Sequence, residues 1–184
     1  MTIALIIVGL VLLAIVLIYN SLVRSKVRVD EAWSDITVQL KRRFDLIPNL
    51  VESVRGYAKH ERAAFKEVTE ARAKTLGAST VGEVSKAENQ FQSALKSIFA
   101  IAEAYPQLRA SENFQKLQEE ITDTEDKIQA ARRFYNGNVR DFNISVQSFP
   151  TNLLSGMFGF KKEEFFELGE EARARVAEPP KVSF

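Results

Sequence analysis

The sequence contains no cysteine. Disulfides, thiolate metal sites, a cysteine nucleophile and a lipidated cysteine are therefore all excluded. It has a single histidine, His60, in Tyr57-Ala58-Lys59-His60-Glu61. One imidazole among scattered carboxylates is a poor basis for a metal centre or an acid–base pair, and a surface or helix-cap role is expected for it. Acid pairs are plentiful (Glu119-Glu120, Asp123, Glu125-Asp126, Glu163-Glu164), but no Glu-x-x-His occurs. These acids read as a solvated helix face and not as inward metal ligands. No glycine-rich phosphate loop and no Ser-His-Asp set is present. Expected catalytic, cofactor-binding and metal residues are thus none, and neither a cofactor nor a small-molecule substrate is implied. A net charge of +1 gives no reason to expect nucleic-acid binding.

The most informative absence is local. Residues 1–23 hold no charged residue and no histidine, so all 25 Lys and Arg and all 24 Asp and Glu lie in 24–184. Ile3 to Val23 reads IALIIVGLVLLAIVLIYNSLV. As a helix it spans roughly 31 Å, the thickness of a bilayer's hydrocarbon core. A cleaved signal peptide would carry a basic start, a shorter apolar stretch and a small-residue cleavage site. None of these is seen, so 1–23 is expected to be a retained transmembrane anchor. Arg24, Lys26 and Arg28 follow it and nothing basic precedes it. That asymmetry places the N-terminus outside and the larger domain in the cytoplasm. The three basic residues also suit contact with anionic lipid.

Beyond the anchor the apolar period is helical and no segment alternates as a strand does. Trp33, Ile36, Leu40, Phe44, Ile47, Val51, Val54, Ala58, Phe65 and Val68 form a coiled-coil-like stripe, with one seven-residue gap across Glu61. A first helix is expected over about 27–75, kinked but not broken at Pro48. Thr80-Val81-Gly82-Glu83 has capping-box spacing and starts a second helix, about 81–105, whose stripe is Val84, Phe91, Leu95, Ile98, Ala102 and Tyr105. Ser111 is placed to cap a third, about 111–147, with Phe114, Leu117, Ile121, Ile128, Ala131, Tyr135, Val139, Phe142 and Val146 on its stripe. Residues 150–184 are expected to be a Phe-rich loop, a short helix over about 161–176 and an extended tail. The fold class is all-α: a transmembrane helix followed, over 24–149, by an antiparallel bundle of long helices.

On that layout the third helix runs away from the membrane, and Trp33, Ile36, Leu40 and Ile47 have no partner in their own chain. An exposed apolar strip marks an interface, so self-association or a partner helix is expected along it; the alternative is that the chain folds back to cover it. Residues 24–75 carry 12 basic against 8 acidic residues. That surplus suits the inner leaflet or an acidic partner helix, but pairing of Arg42 or Arg43 across to acids on the third helix is preferred. Asn49 beside Pro48, with Asn136 or Asn143, is expected to make structural hydrogen bonds, one of them to the carbonyl that Pro48 leaves free. The Phe-rich segment 149–166 either packs on the end of the bundle or dips into the membrane interface as an apolar wedge. Val182 and the terminal Phe184 fit capture of a C-terminus by strand addition.

Several blocks resemble the LemA family. They are Val38-Gln39-Leu40-Lys41-Arg42-Arg43-Phe44-Asp45-Leu46-Ile47-Pro48-Asn49-Leu50-Val51, Gly56-Tyr57-Ala58-Lys59-His60-Glu61, Ala104-Tyr105-Pro106-Gln107-Leu108 and Ala131-Arg132-Arg133-Phe134-Tyr135-Asn136. Val139, Phe142-Asn143, Phe149-Pro150, Asn152, Gly159-Phe160, Phe165-Phe166 and Pro179-x-Lys181-Val182-x-Phe184 continue the likeness, in order, along the whole chain. The resemblance implies a single-pass bacterial membrane protein with its N-terminus outside and a helical domain inside. It implies no established catalytic activity and carries over no site residues. The function expected is that of a membrane-anchored scaffold or adaptor, acting on other membrane proteins and on itself. A membrane-organising protein is the second reading.

Overall fold

The computed structural model describes residues 1–167. Its regular elements are all helices: α1 (Thr2–Tyr57), α2 (Arg62–Gly77), α3 (Val81–Glu103), α4 (Pro106–Arg109), α5 (Glu112–Gln147) and α6 (Thr151–Met157). The all-α expectation holds. The charge-free run does not end at a hinge; it continues without a break through Pro48 to Tyr57 as one helix.

The helix expected over 27–75 is instead two. The chain leaves the helix at Ala58, turns through Lys59-His60, and re-enters it at Arg62. The break falls in the seven-residue gap of the stripe, not at Pro48. Gly56 weakens the last turn of α1, and the apolar phase offers no core residue between Ala58 and Phe65 to hold the helix straight. Proline inside a helix removes the hydrogen bond to the carbonyl four residues back, here that of Phe44. Arg72 Nε on α2 donates to that oxygen at 2.9 Å, so the carbonyl is satisfied and the helix persists.

The start of α3 is as expected. Thr80 Oγ1 accepts from the Glu83 N–H, and the Glu83 carboxylate accepts from the backbone N–H groups of Ser79 (2.9 Å) and Thr80 (3.1 Å). Those two N–H groups hold Glu83 below the usual carboxylate range. Pro106 follows the end of α3 and opens the single turn of α4. The C-terminal segment differs from expectation. The helix lies at 151–157, where a loop was expected, and residues 160–167 are non-helical. Gly159, at φ 76°, takes the left-handed turn that closes α6, and the Phe160 N–H reaches the Ser155 carbonyl at 2.9 Å. The rest of the expected 161–176 helix and the extended tail lie outside the described residues.

The chain forms two compact units. One combines Met1–Val38 with Ile128–Phe165; the other holds Gln39–Lys127 with Phe166 and Glu167. In the first, Leu22, Val29, Ala32 and Ile36 of α1 are buried, as are Ile128, Tyr135, Val139 and Phe142 of α5. In the second, Leu40, Phe44, Ile47 and Val54 of α1, Phe65 and Val68 of α2, Val84, Phe91 and Ile98 of α3, and Phe114 and Ile121 of α5 make the core.

The extra reversal at 58–61 changes what covers the membrane-proximal stripe. Because the chain turns once more than expected, α5 runs antiparallel to α1, and within each unit a stretch of it lies against α1. Ile36, Leu40 and Ile47 are buried in their own chain and do not form an exposed strip. Trp33, half-buried, stacks at a tilt against Tyr135 with ring centroids 5.5 Å apart.

Candidate functional site

Two arrangements in the structure bear on function. The first lies in the unit that contains the apolar run. Tyr19, on the last turns of that run, meets Phe158 edge-on at 4.8 Å and Phe160 at 6.0 Å. From there residues 160–164 run along α1 as a strap. Lys26 Nζ binds Glu163 Oε1 at 2.9 Å and Asp30 Oδ1 at 2.7 Å. Burial works against the charge of Lys26, but these hydrogen bonds and the two carboxylates outweigh it and hold the ammonium above its ordinary value. Asn143 clamps the strap from α5. Its Nδ2 donates to the Glu163 carbonyl and its Oδ1 accepts from the Glu163 N–H, both at 2.9 Å. Tyr135 Oη donates to the Glu164 carbonyl at 2.8 Å. Burial first, then the charges of Glu163, Glu164 and Asp30, push the Tyr135 phenol up, so it stays a donor.

The second arrangement is a buried ion cluster in the other unit. Arg43 is 0% exposed. One guanidinium nitrogen binds Glu88 of α3 and another binds Glu125 of α5. The guanidinium carbon lies 4.8 Å from the centre of the Phe91 ring. Gln92 Nε2 donates to Glu125 Oε1 at 3.1 Å. Glu88 is buried, whereas Glu125 reaches solvent. Burial pushes Glu88 above the usual carboxylate range, against the pull of Arg43. Among the described residues, Arg43 Nε and Glu88 Oε2 have no hydrogen-bond partner. The cluster joins three helices, with Arg43 and Glu88 buried and Glu125 at its rim. Its chemistry is that of a register pin and not of an acid–base site.

The remaining expected residues scatter. Arg24 and Arg28 are exposed, and Arg28 donates to Ser25 Oγ at 3.4 Å. The expectation of structural amide hydrogen bonds holds for Asn143, which clamps Glu163, but not for Asn49, which is exposed while Arg72 takes the carbonyl freed by Pro48. The longer side chain arriving from a facing helix reaches the oxygen, whereas Asn49 points away on its own helix. Asn136 is half-buried on α5. His60 is exposed in the α1–α2 turn. Val182 and Phe184 lie outside the described residues. Among the described residues, no group of three or more His, Cys, Asp or Glu is gathered as a metal site.

Glu88 and Arg72 were not anticipated. A signal for Glu88 is present: it occupies the seven-residue gap between Val84 and Phe91, in phase with the apolar stripe. Thr124, beside Glu125, fills the matching gap between Ile121 and Ile128. A groove of ≈ 800 Å³ lies where α1 meets α2, with Arg55, Lys59, Arg62 and Lys66 against Glu52 and Glu70 on its walls.

Comparison with known proteins agrees with the sequence blocks. The chain is 24% identical to the magnetosome protein MamQ 1 of Paramagnetospirillum magneticum, over 81% of its own length and 64% of the relative's. MamQ of Magnetospirillum gryphiswaldense is similar at 24% identity over 80% of this chain and 64% of its own length. The chain therefore spans about 64% of the length of these curated relatives. The LemA protein of Metamycoplasma hominis is 29% identical over 85% of this chain and 72% of its own. The LemA family pattern matches residues 32–184, and the chain belongs to the LemA family.

Proposed function

We propose that this protein is a single-pass, membrane-anchored helical scaffold of the LemA type, without catalytic activity, that holds its helical domain at a bacterial cell membrane for protein partners. The observation that carries this reading is the continuity of α1. One helix contains a stretch long and apolar enough to cross a bilayer, none of it covered by protein, and then supplies core residues as far as Val54. The N-terminus lies outside and the domain in the cytoplasm, as Arg24, Lys26 and Arg28 favour. Self-association along Trp33, Ile36, Leu40 and Ile47 is not part of the proposal, because those side chains serve the chain's own core. The groove walled by Arg55, Lys59, Arg62 and Lys66 fits an acidic partner segment better.

The test is affinity capture from native membranes with the full chain and with an Arg55→Glu, Lys59→Glu, Arg62→Glu variant. A protein held by the native chain and released by the variant, with helicity unchanged, supports the scaffold. Identical recoveries overturn the groove as its partner surface, and a substrate turned over by the purified chain overturns the non-catalytic reading. The second reading, a membrane-organising role, is favoured by the apolar side chains exposed around α6. Deformation of vesicles by the purified full chain alone would move the assignment to it.

A further inference from the structure

We infer that α6 and the residues flanking it form a lipid-seated wedge, inserted at the acyl–headgroup boundary of the bilayer that α1 crosses. The inference rests on the anchor reading above, and goes beyond it by giving the bilayer a second, separate contact. Four observations in one unit converge. First, Phe142 through Phe160 contains no charged or histidine residue, a second such run after that of residues 1–23. Second, the fold brings the two runs together. Phe158 and Phe160 pack on Tyr19, five residues before the first charge at Arg24, which is roughly 7–8 Å along the helix. Leu22 on the next turn is 1% exposed, so the chain itself covers this end of the run.

Third, large apolar side chains of this segment face away from the protein, beside the uncharged Ser148 and Asn152. Phe149 is 80% exposed, Leu153 60% and Met157 77%. Clustered apolar exposure of this kind needs a covering, and the level fixed by Tyr19 makes that covering lipid. Fourth, Ser155, the buried polar residue of α6, is turned inward. Ser155 Oγ donates to the Val146 and Asn152 carbonyls at 3.0 Å, leaving its buried hydroxyl satisfied. The first charges after the run, Lys161 and Lys162, are exposed where the strap turns up beside α1. That is the order expected on leaving an anionic surface: apolar anchor, then lysines at the headgroups, then protein.

The absence of native cysteine makes the test direct. Leu153→Cys, Met157→Cys, Leu10→Cys and Lys116→Cys are each made in the full chain and labelled with an environment-sensitive fluorophore. Each chain is then reconstituted in phosphatidylcholine–phosphatidylglycerol vesicles that carry a nitroxide at a shallow or a deep acyl position. The labels at 153 and 157 should lose emission to the shallow nitroxide and resist aqueous iodide. The label at 10 should lose emission to the deep nitroxide, and the label at 116 only to iodide. If 153 and 157 are quenched by iodide, or shielded from both quenchers as a contact between copies would make them, while 10 sits in the acyl core, the wedge is overturned and the anchor stands. A label at 10 outside the acyl core overturns the anchor reading itself. Circular dichroism of each labelled chain confirms that the helices are intact.

Discussion

Glu88 ionises against its surroundings. Burial is the main cause, taking the carboxylate out of water, and the charge of Glu125 adds to it against the pull of Arg43. Its raised value has a definite consequence for stability. The folded state holds the Glu88 proton more tightly than the unfolded chain does. The contribution of Glu88 is therefore fully present below its ordinary value of 4.5 and is lost as pH rises through the raised folded value. Unfolding of the full chain in detergent across that range should show Glu88→Gln with a flatter profile than the native protein; parallel profiles would refute the shift. Arg43 is the other half of the argument. Arg43→Met leaves Glu88 buried without its partner and should cost about 3–5 kcal/mol. Arg43→Met with Glu88→Leu should recover most of that loss. If it does not, packing of the guanidinium on Phe91 matters more than its charge.

At the level of elements, Pro48 and the Ala58–Glu61 turn exchange their expected roles. Proline in a helix usually draws attention as the point of failure. Here its orphaned carbonyl has a donor in Arg72, and the helix fails instead at a place with no proline, where the apolar phase lapses. The two sites are therefore coupled. Arg72→Met should destabilise by about 1–3 kcal/mol through the unsatisfied Phe44 carbonyl. In a Pro48→Ala background, where residue 48 regains an N–H for that carbonyl, the same substitution should cost clearly less. A double-mutant cycle by chemical unfolding measures the difference. The turn also decides what the stripe of α1 is for. With α5 returned against α1, Ile36→Ala and Leu40→Ala should each lower stability by about 2–5 kcal/mol, as core truncations do. The mass of the detergent-solubilised protein should not change. A shift in oligomeric mass with stability unaltered would restore the interface reading.

For the whole molecule, the charges flanking the apolar run carry the proposed topology. Arg24, Lys26 and Arg28 follow the apolar run, yet Lys26 is engaged by Asp30 and Glu163 and so presents less free charge to lipid than the sequence implies. Arg24 and Arg28 remain exposed. With cysteine at Thr2 or at Lys116, an impermeant maleimide added to intact cells should label Thr2→Cys at once, and Lys116→Cys only after lysis. The reverse pattern would invert the proposed topology.

The sequence by itself determined the helical class, the apolar run and its flanking charges, the capping box at Thr80 and Glu83, and the family. All of these are read along the chain, because period, capping and charge asymmetry are local properties. Only the tertiary structure decided what a seven-residue gap in an apolar stripe means. Between Ala58 and Phe65 it is a reversal, between Val84 and Phe91 a buried carboxylate, and between Ile121 and Ile128 a buried threonine beside an ion pair. The three gaps look alike in one dimension, since a missing apolar side chain says only that the core is not fed there. Whether the chain turns away or inserts a charge depends on the facing helix. Arg43 faces Glu88 and Glu125, and among the described residues no such ion cluster holds 59–61. The Phe-rich segment shows the same limit of a one-dimensional reading. Its composition is compatible with the bundle end or the bilayer, and only the fold brings Phe158 and Phe160 onto Tyr19.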